Sequence, residues 1–375
     1  MIYLDHAATG GEKPASVISA VLAAMQECAN PGRSGHKRSV ALAERVLACR
    51  RLLSDLFDGY GFERVAFTKN CTEALNIAIL GTLREGDHAI ATCLEHNSVL
   101  RPLEYLKKTR GVAYDVAPLV EGKLLPETIV SLVKPETKLC CVTTASNVTG
   151  EAPDLFAVRA RLPERVLLLA DGAQGAGHLP IRMRAAGIDF LALAGHKGMG
   201  AIQGAGALLF SERACPDPVL FGGTGSESFN LDMPAFYPDR LESGTLSYPA
   251  ICSLFEGALV VQSRRSEGAR RLITVTNAVL EGISAMRCYQ AYFFPNACGI
   301  CSFSHTKIAS EELADILSER YDIAVRGGLH CAPLAHRALG TFPAGLVRAS
   351  FAPTQGMREA QELLAALREI ARAKS

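Results

Sequence analysis

From about residue 36 onward, short apolar runs alternate with helical patterns, and few folds accommodate such an order. "HKRSVALAERVLACRRLLSDLF" places apolar residues at spacings of three and four, as a long amphipathic helix requires. "RVAFT" reads as a short strand, and "CTEALNIAILGTL" opens a helix directly after it. "HAIAT", "VAYDVA", "KLCCVTTAS", "RVLLLADGA", "DFLALAGH" and "GAGALLF" follow as strands, with helical segments between several of them. Repeated strand–helix–strand units predict an α/β chain with a mainly parallel sheet covered on both faces. "VLLLA" is apolar throughout, the pattern of a strand with no solvent face.

The texture changes after "RLESGTLSYPAI". A helix is predicted over 248–265, then strands near 299–304, 323–326 and 346–351, and a closing helix in "MREAQELLAALREIARA". This predicts a large domain over 15–250 and a smaller α+β domain made of 1–14 and 251–375. A chain of 375 residues has length for both cores.

Charge and composition narrow the function. A net charge of +1 gives no basic field for nucleic acid or an acidic membrane. "MIYLDHAATGGEKP" lacks a basic region followed by an apolar run, and no apolar stretch reaches the roughly 18 residues of a spanning helix. The expected location is therefore cytoplasmic, where the twelve cysteines stay reduced. Most lie in apolar runs, such as Cys140 and Cys141, and read as small buried hydrophobes. Cys298 and Cys301 have metal or redox spacing, but there is no second such pair and an apolar strand pattern surrounds them.

Ligands of open α/β sheets gather at the carboxyl ends of strands. Here those ends carry Asn70-Cys71-Thr72-Glu73, Glu95-His96-Asn97-Ser98, Asn147, Asp171 with Gln174, and Gly195-His196-Lys197-Gly198. Each alone has an ordinary structural reading: a cap, a satisfied histidine, a solvated turn. Together they supply an amine, a carboxylate, imidazoles and amides, and pyridoxal 5′-phosphate uses that set. A lysine amine condenses with its aldehyde, a carboxylate keeps the pyridine nitrogen protonated, a ring stacks on its face, and a helix N-terminus holds its phosphate.

The sequence resembles the fold-type I enzymes of the class V aminotransferase family, and within them the cysteine desulfurase and selenocysteine lyase branch. The stretches that carry the resemblance are "YLDHAAT", "NPGRSGH", "FTKNCTEALN", "EHNSVLRPL", "SNVTG", "DGAQ", "GHKG", "RLESGT", "YDIAVRGGLHCAP" and "VRASF", running from residue 3 to about 351. It implies a large domain with a mainly parallel seven-stranded sheet and a smaller C-terminal α+β domain holding a catalytic cysteine loop. It also implies site roles: Lys197 carries the cofactor and moves the substrate α-proton, Asp171 pairs with the pyridine nitrogen, and Gln174 bonds the ring oxygen. His96 is a catalytic residue that stacks on the ring and shuttles protons. Cys71, Thr72 and His196 belong to the cofactor cradle, and Thr245 reaches the phosphate from a second subunit of a homodimer. Asn147, Arg348, Arg326 and Ala8 face the substrate, L-cysteine or L-selenocysteine.

The loop "RGGLHCAPLAH" holds Cys331 between glycines and histidines. A zinc site would need three or four ligands of suitable geometry, whereas neighbours in an extended loop point apart. An inert loop is the second reading. The third, which the resemblance implies, is a nucleophile that takes sulfur as a persulfide while alanine leaves and passes it to an acceptor protein. That chemistry needs thiolate, and His330 and Arg326 are the local cations expected to favour it. Gly327 and Gly328 would let the backbone bend towards the cofactor. Ala194, Gly327 and Leu329 stand where the family pattern has a hydroxyl residue, a threonine and a histidine. Two alternatives therefore stay open: an aminotransferase or another C–S lyase, and a catalytically weak sulfur-relay component.

Overall fold

The computed structural model describes residues 1–373. In chain order the first part holds β1 (Ile2–Tyr3), α1 (Ala15–Met25), α2 (Lys37–Leu56), β2 (Val65–Thr68), α3 (Cys71–Leu80), β3 (His88–Thr92), α4 (Asn97–Arg110) and β4 (Ala113–Ala117). Next come α5 (Pro126–Val130), β5 (Thr137–Thr143), α6 (Leu155–Arg161), β6 (Leu167–Asp171), α7 (Met183–Ala186), β7 (Phe190–Ala194) and β8 (Gly206–Phe210). The remainder is α8 (Tyr248–Ser284), β9 (Tyr289–Ala291), β10 (Ile300–His305), α9 (Ser310–Tyr321), β11 (Ile323–Ala324), α10 (Pro333–Ala338), β12 (Val347–Ser350) and α11 (Met357–Ala373).

The large sheet has seven strands in the order β2-β8-β7-β6-β5-β3-β4. Strands β3 to β7 pair in parallel, and β8 runs antiparallel to both β7 and β2. Helix α3 and α4 cover one face through Leu75, Ile79, Leu103 and Leu106. The other face is covered by α2 and the first half of α8 through Leu53, Phe57, Leu254 and Ala258. Every residue of β6 is buried as a result, which is why "LLLA" carries no polar alternation. The parallel strands end together on one side, and that edge collects the polar residues singled out above.

A three-stranded antiparallel sheet, β12-β10-β9, and the short parallel pair β1–β11 surround a separate core of Leu4, Leu272, Phe303, Val347, Leu363 and Leu367. The three strands predicted in this region form close to where the sequence places them. Helix α8 differs: it runs 37 residues, well past the predicted end at 265. "RRSEGARR" reads as an exit because it is polar and contains glycine. In the folded chain Gly268 instead admits Pro353, whose Cβ would lie 2.8 Å from any Cβ placed there. The helix simply changes partners, from the large sheet to the smaller core. Among the described residues no helix is long and apolar enough to cross a membrane.

Candidate active site

A cavity of about 90 Å³ opens at the carboxyl edge of the sheet. It is lined by Cys71, Thr72, His96, Asn147, Asp171, Gln174, Ala194, His196 and Lys197, so residues from five strand ends meet in one place. Lys197 sits in the tight turn after β7. Gly195 makes that turn feasible, since a Cβ there would lie 2.6 Å from Ala205 O. Burial pulls the Lys197 amine below its ordinary pKa of 10.5, with the Asp171 carboxylate opposing.

Asp171 ends β6 and is nearly fully buried. Its Oδ1 accepts from Ala173 N–H at 2.9 Å and from the Cys71 thiol at 3.3 Å. Those bonds fix the carboxylate and leave Oδ2 for a partner in the cavity. The Cys71 thiol is pushed far above its ordinary pKa by burial and by Asp171, so it stays protonated and acts as a donor. Gln174 donates from Nε2 to Ala7 O at 3.0 Å, which ties the N-terminal loop to this edge of the sheet.

Helix α3 begins at the cavity with Asn70 as its cap, whose side chain accepts from Glu73 N–H at 2.9 Å. The first-turn N–H groups of Cys71 and Thr72 have no intrahelical acceptor, the arrangement that binds phosphate. Thr72 Oγ1 lies 2.8 Å from Ser98 Oγ. His96 caps α4, and its Nδ1 accepts from Ser98 N–H at 3.0 Å, which places its proton on Nε2. Burial lowers the His96 pKa to about 4, so its ring is neutral. His196, with Nδ1 3.0 Å from Thr9 Oγ1, is likewise held near 4 by burial and by Lys197.

Residue Arg348, on β12, adjoins the cavity with only 1% of its surface exposed. Its Nη1 donates to Asn147 O and its Nη2 to Asp5 Oδ1, both at 3.0 Å. Arg348 Nε and Asn147 Oδ1 are buried without partners. Buried polar atoms left so call for a water or a ligand as partner. These features fit pyridoxal 5′-phosphate: a free carboxylate oxygen, a helix N-terminus, a neutral ring and a lysine amine share one space, with the Arg348 guanidinium beside it through Asn147.

The cysteine loop is anchored as a short ladder. Arg326 and Arg348 exchange backbone bonds at 3.2 and 2.8 Å, and Gly328 and Leu346 do so at 3.1 Å each. His330 and Cys331 both take left-handed backbone, at φ 50° and 57°, which non-glycine residues rarely adopt. Two bonds from the sheet side hold them there: Asn147 Nδ2 to His330 O at 2.7 Å, and Asn97 N–H to Cys331 O at 2.8 Å. Cys331 itself is exposed.

Here the sequence expectation for His330 fails. The imidazole is 3% exposed, its Nε2 donates to Leu346 O at 3.1 Å, and burial lowers its pKa to about 2. It is neutral at any ordinary pH and supplies no cation to the thiol. Arg348 is the cation that Cys331 acts on electrostatically, and Arg326 lies close enough to act on Lys197, His96 and Arg348. Gly328 bears out the need for glycine, with φ 103°. Gly327 answers to packing instead: a Cβ there would lie 2.6 Å from Ser310 O.

Thr245 stands apart from the cavity of its own chain, in a depression with Lys69, Leu220 and Ser243. Cys298 and Cys301 are buried in apolar surroundings that push both thiols above their ordinary pKa, Cys298 to about 12. Among the described residues, no group of three or more His, Cys, Asp or Glu side chains could hold a metal ion. Asp5, Thr9, Glu95 and Ser98 also belong to the site; all four lie in stretches quoted above but carried no assigned role, because their partners Arg348, His196, Thr143 and Thr72 come from other segments of the chain.

A model of the family described as aminotransferase class-V matches residues 2–363. A probable cysteine desulfurase of Methanothermobacter thermautotrophicus is 31% identical, across 99% of this chain and 94% of that protein. Cysteine desulfurase CsdA of Escherichia coli is 29% identical, across 94% and 89%. Among solved structures, the apo cysteine desulfurase of Thermococcus onnurineus NA1 superimposes with a TM-score of 0.91 at 27% identity, covering 99% of this chain and 95% of that one.

Proposed function

The chain belongs to the aminotransferase class-V family, and from that premise we propose that it is a cysteine desulfurase dependent on pyridoxal 5′-phosphate. The observation that carries this reading is the exposed thiol of Cys331, pinned beside a cavity that holds Lys197, Asp171 and Asn147 together. The desulfurase names of its relatives support it.

In this reading Lys197 holds the cofactor, Asp171 Oδ2 its pyridine nitrogen, Gln174 its ring oxygen, and the α3 N-terminus with Cys71, Thr72 and His196 its phosphate side. When bound, the cofactor supplies a sink for the electron pair released at the substrate Cα. Arg348 binds the substrate carboxylate through Nε, with Asn147 Oδ1 taking a substrate N–H, and Arg326 and the Ala8 loop closing the rim. The Lys197 amine moves the proton at Cα. His96, neutral with its proton on Nε2, stacks on the ring.

Cys331 Sγ, as thiolate, forms the S–S bond to the substrate sulfur as the substrate Cβ–S bond breaks. The electron pair stays with the carbon fragment, which takes up a proton and leaves as L-alanine. One enzyme thiol and one cysteine thus give a persulfide and alanine, with no outside oxidant. Selenocysteine fits the same groups, and selenium leaves with less help from the thiol.

Further parts of the reading rest on placement. Thr245 acts in the cavity of a second copy, which makes the working unit a homodimer; its distance from its own cavity supports this. The two separate cores support a division of this kind, with the boundary inside α8 and not at 251, since Leu254, Ala258 and Val261 pack on the large sheet and Leu272 and Val275 on the smaller core. Twelve free thiols favour a reducing, cytoplasmic setting, where an acceptor protein would collect the sulfur.

The test is an amino-acid panel on the purified yellow protein, scoring alanine, sulfide, selenide and 2-oxo acid. Cys331→Ala should lose sulfide release from cysteine by several orders of magnitude while keeping the cofactor's absorbance. Full sulfide release in that variant, or 2-oxo acid as the main product, overturns the reading.

A further inference from the structure

A second cavity, of about 640 Å³, lies behind the peptide that carries Lys197. Among the described residues only Lys197 lines both spaces. The partition is hydrogen-bonded: Gly10 N–H to His196 O at 2.8 Å, Thr9 Oγ1 with His196 Nδ1 at 3.0 Å, and Gln174 Nε2 to Ala7 O at 3.0 Å. The volume is that of a small-molecule site, typically about 300–1,000 Å³.

Its apolar surface comes from Met199, Val260, Val261 and Phe351, and its charge is one-sided. Arg271 is matched by Glu267 at 2.7 Å. Lys13, Arg264 and Arg265 form no ion pair among the described residues, and Glu12 is the one acid left on the wall to face them. Lys13 Nζ instead donates to two carbonyls, Gly10 O at 2.9 Å and His196 O at 3.1 Å. Arg265 Nη1 is buried with no acceptor among the described residues. The adjacent Arg182 adds to the positive potential there, and together with burial it draws the Arg265 pKa down. His6 and His178 are kept neutral by burial, near pKa 4, and so neither adds charge nor removes it.

A buried guanidinium N–H without an acceptor is rare in native proteins and is met by water or by a ligand. Guanidinium groups pair best with the planar or tetrahedral oxyanions of carboxylates and phosphates, which they can grip through two parallel bonds. An ammonium, two guanidiniums and an apolar floor therefore define the ligand by charge and by shape. We propose that this cavity binds a small oxyanion, a phosphate or carboxylate on a compact apolar body, through Lys13, Arg264 and Arg265. The ligand would rest on the far side of the wall that carries the reactive amine, with Lys13 touching both the ligand and the carbonyl of His196.

Titration calorimetry on the full chain, loaded with pyridoxal 5′-phosphate so that the α3 N-terminus is filled, tests this with two probes at constant ionic strength. The probes are inorganic phosphate and succinate. At least one should bind saturably, with affinity reduced about tenfold or more in Arg265→Met and partly kept in Arg265→Lys. Arg264→Met, at an exposed position, should weaken the same binding and serves if Arg265→Met fails to fold. Preference for phosphate assigns a phosphate ester, and preference for succinate assigns a carboxylate. Absence of saturable binding by both probes, or binding unchanged in both Arg→Met variants, overturns the proposal.

Discussion

Replacing Glu95 by Gln tests whether the site keeps one carboxyl group neutral beside another that is charged. Glu95 ends the turn after β3 with no exposed surface. Its Oε1 accepts from Thr92 Oγ1 at 2.7 Å and from Thr143 N–H at 2.9 Å, and its Oε2 is buried without a partner. Burial pushes its pKa from 4.5 to about 8, with the nearby Asp171 charge pushing the same way. Between those two values the native chain holds a proton that the unfolded chain has released, so stability falls as pH rises. At about 1.4 kcal/mol per pH unit, the loss between about pH 5 and pH 8 is about 4 kcal/mol. Glutamine keeps the Oε1 acceptor and cannot titrate. Urea unfolding midpoints of the two proteins should therefore lie close together near pH 5 and separate towards pH 8, with the variant the more stable. Parallel pH curves would show that Glu95 is already ionised and that Asp171 shares its edge of the sheet with a second anion.

Gly327→Thr restores the family residue, but its Cβ would meet Ser310 O at 2.6 Å and Glu311 Cα at 2.8 Å. A stability loss of about 1–3 kcal/mol is expected, together with slower turnover as the Cys331 ladder shifts; unchanged melting and rate would contradict it. Arg50→Met leaves Glu242 buried without the two bonds of 2.7 and 2.6 Å that hold it, and should cost about 3–5 kcal/mol in urea unfolding. Arg50→Met with Glu242→Leu should recover most of that loss, and failure to recover would assign the cost to packing. Cys71→Ala removes a donor to Asp171 worth about 1 kcal/mol, and cofactor should dissociate about fivefold faster as followed by absorbance. Equal release rates would leave the thiol without a positioning role.

What the sequence disclosed follows from how locally each feature is encoded. Strand β6 and its neighbours were legible because burial on both faces writes an unbroken apolar run. Lys197, Asp171, His96 and Thr72 were legible because each lies at or just beyond the carboxyl end of a strand, and those ends converge. The far half of α8 was not, because Gly268 answers to Pro353, a contact from the other end of the chain. His330 misled for a related reason. Adjacency to Cys331 suggested a shared environment, whereas successive left-handed residues send the two side chains apart, one into the core and one to solvent. Asp5 lay in a quoted motif, yet its pairing with Arg348 spans nearly the whole chain and no periodicity announces it.

Helix α8 has a mechanical consequence. At Gly257 it presses on Met199, two residues beyond Lys197, so closely that a Cβ would fall 2.1 Å from the carbonyl oxygen. From that fulcrum a stiff rod runs about 40 Å to Ser284 at 1.5 Å per residue. Tilting the rod by about 3° would carry its far end about 2 Å. The sheet that bears Arg348 rides on that end, so a small tilt at the lysine turn would be geared up into travel of that guanidinium.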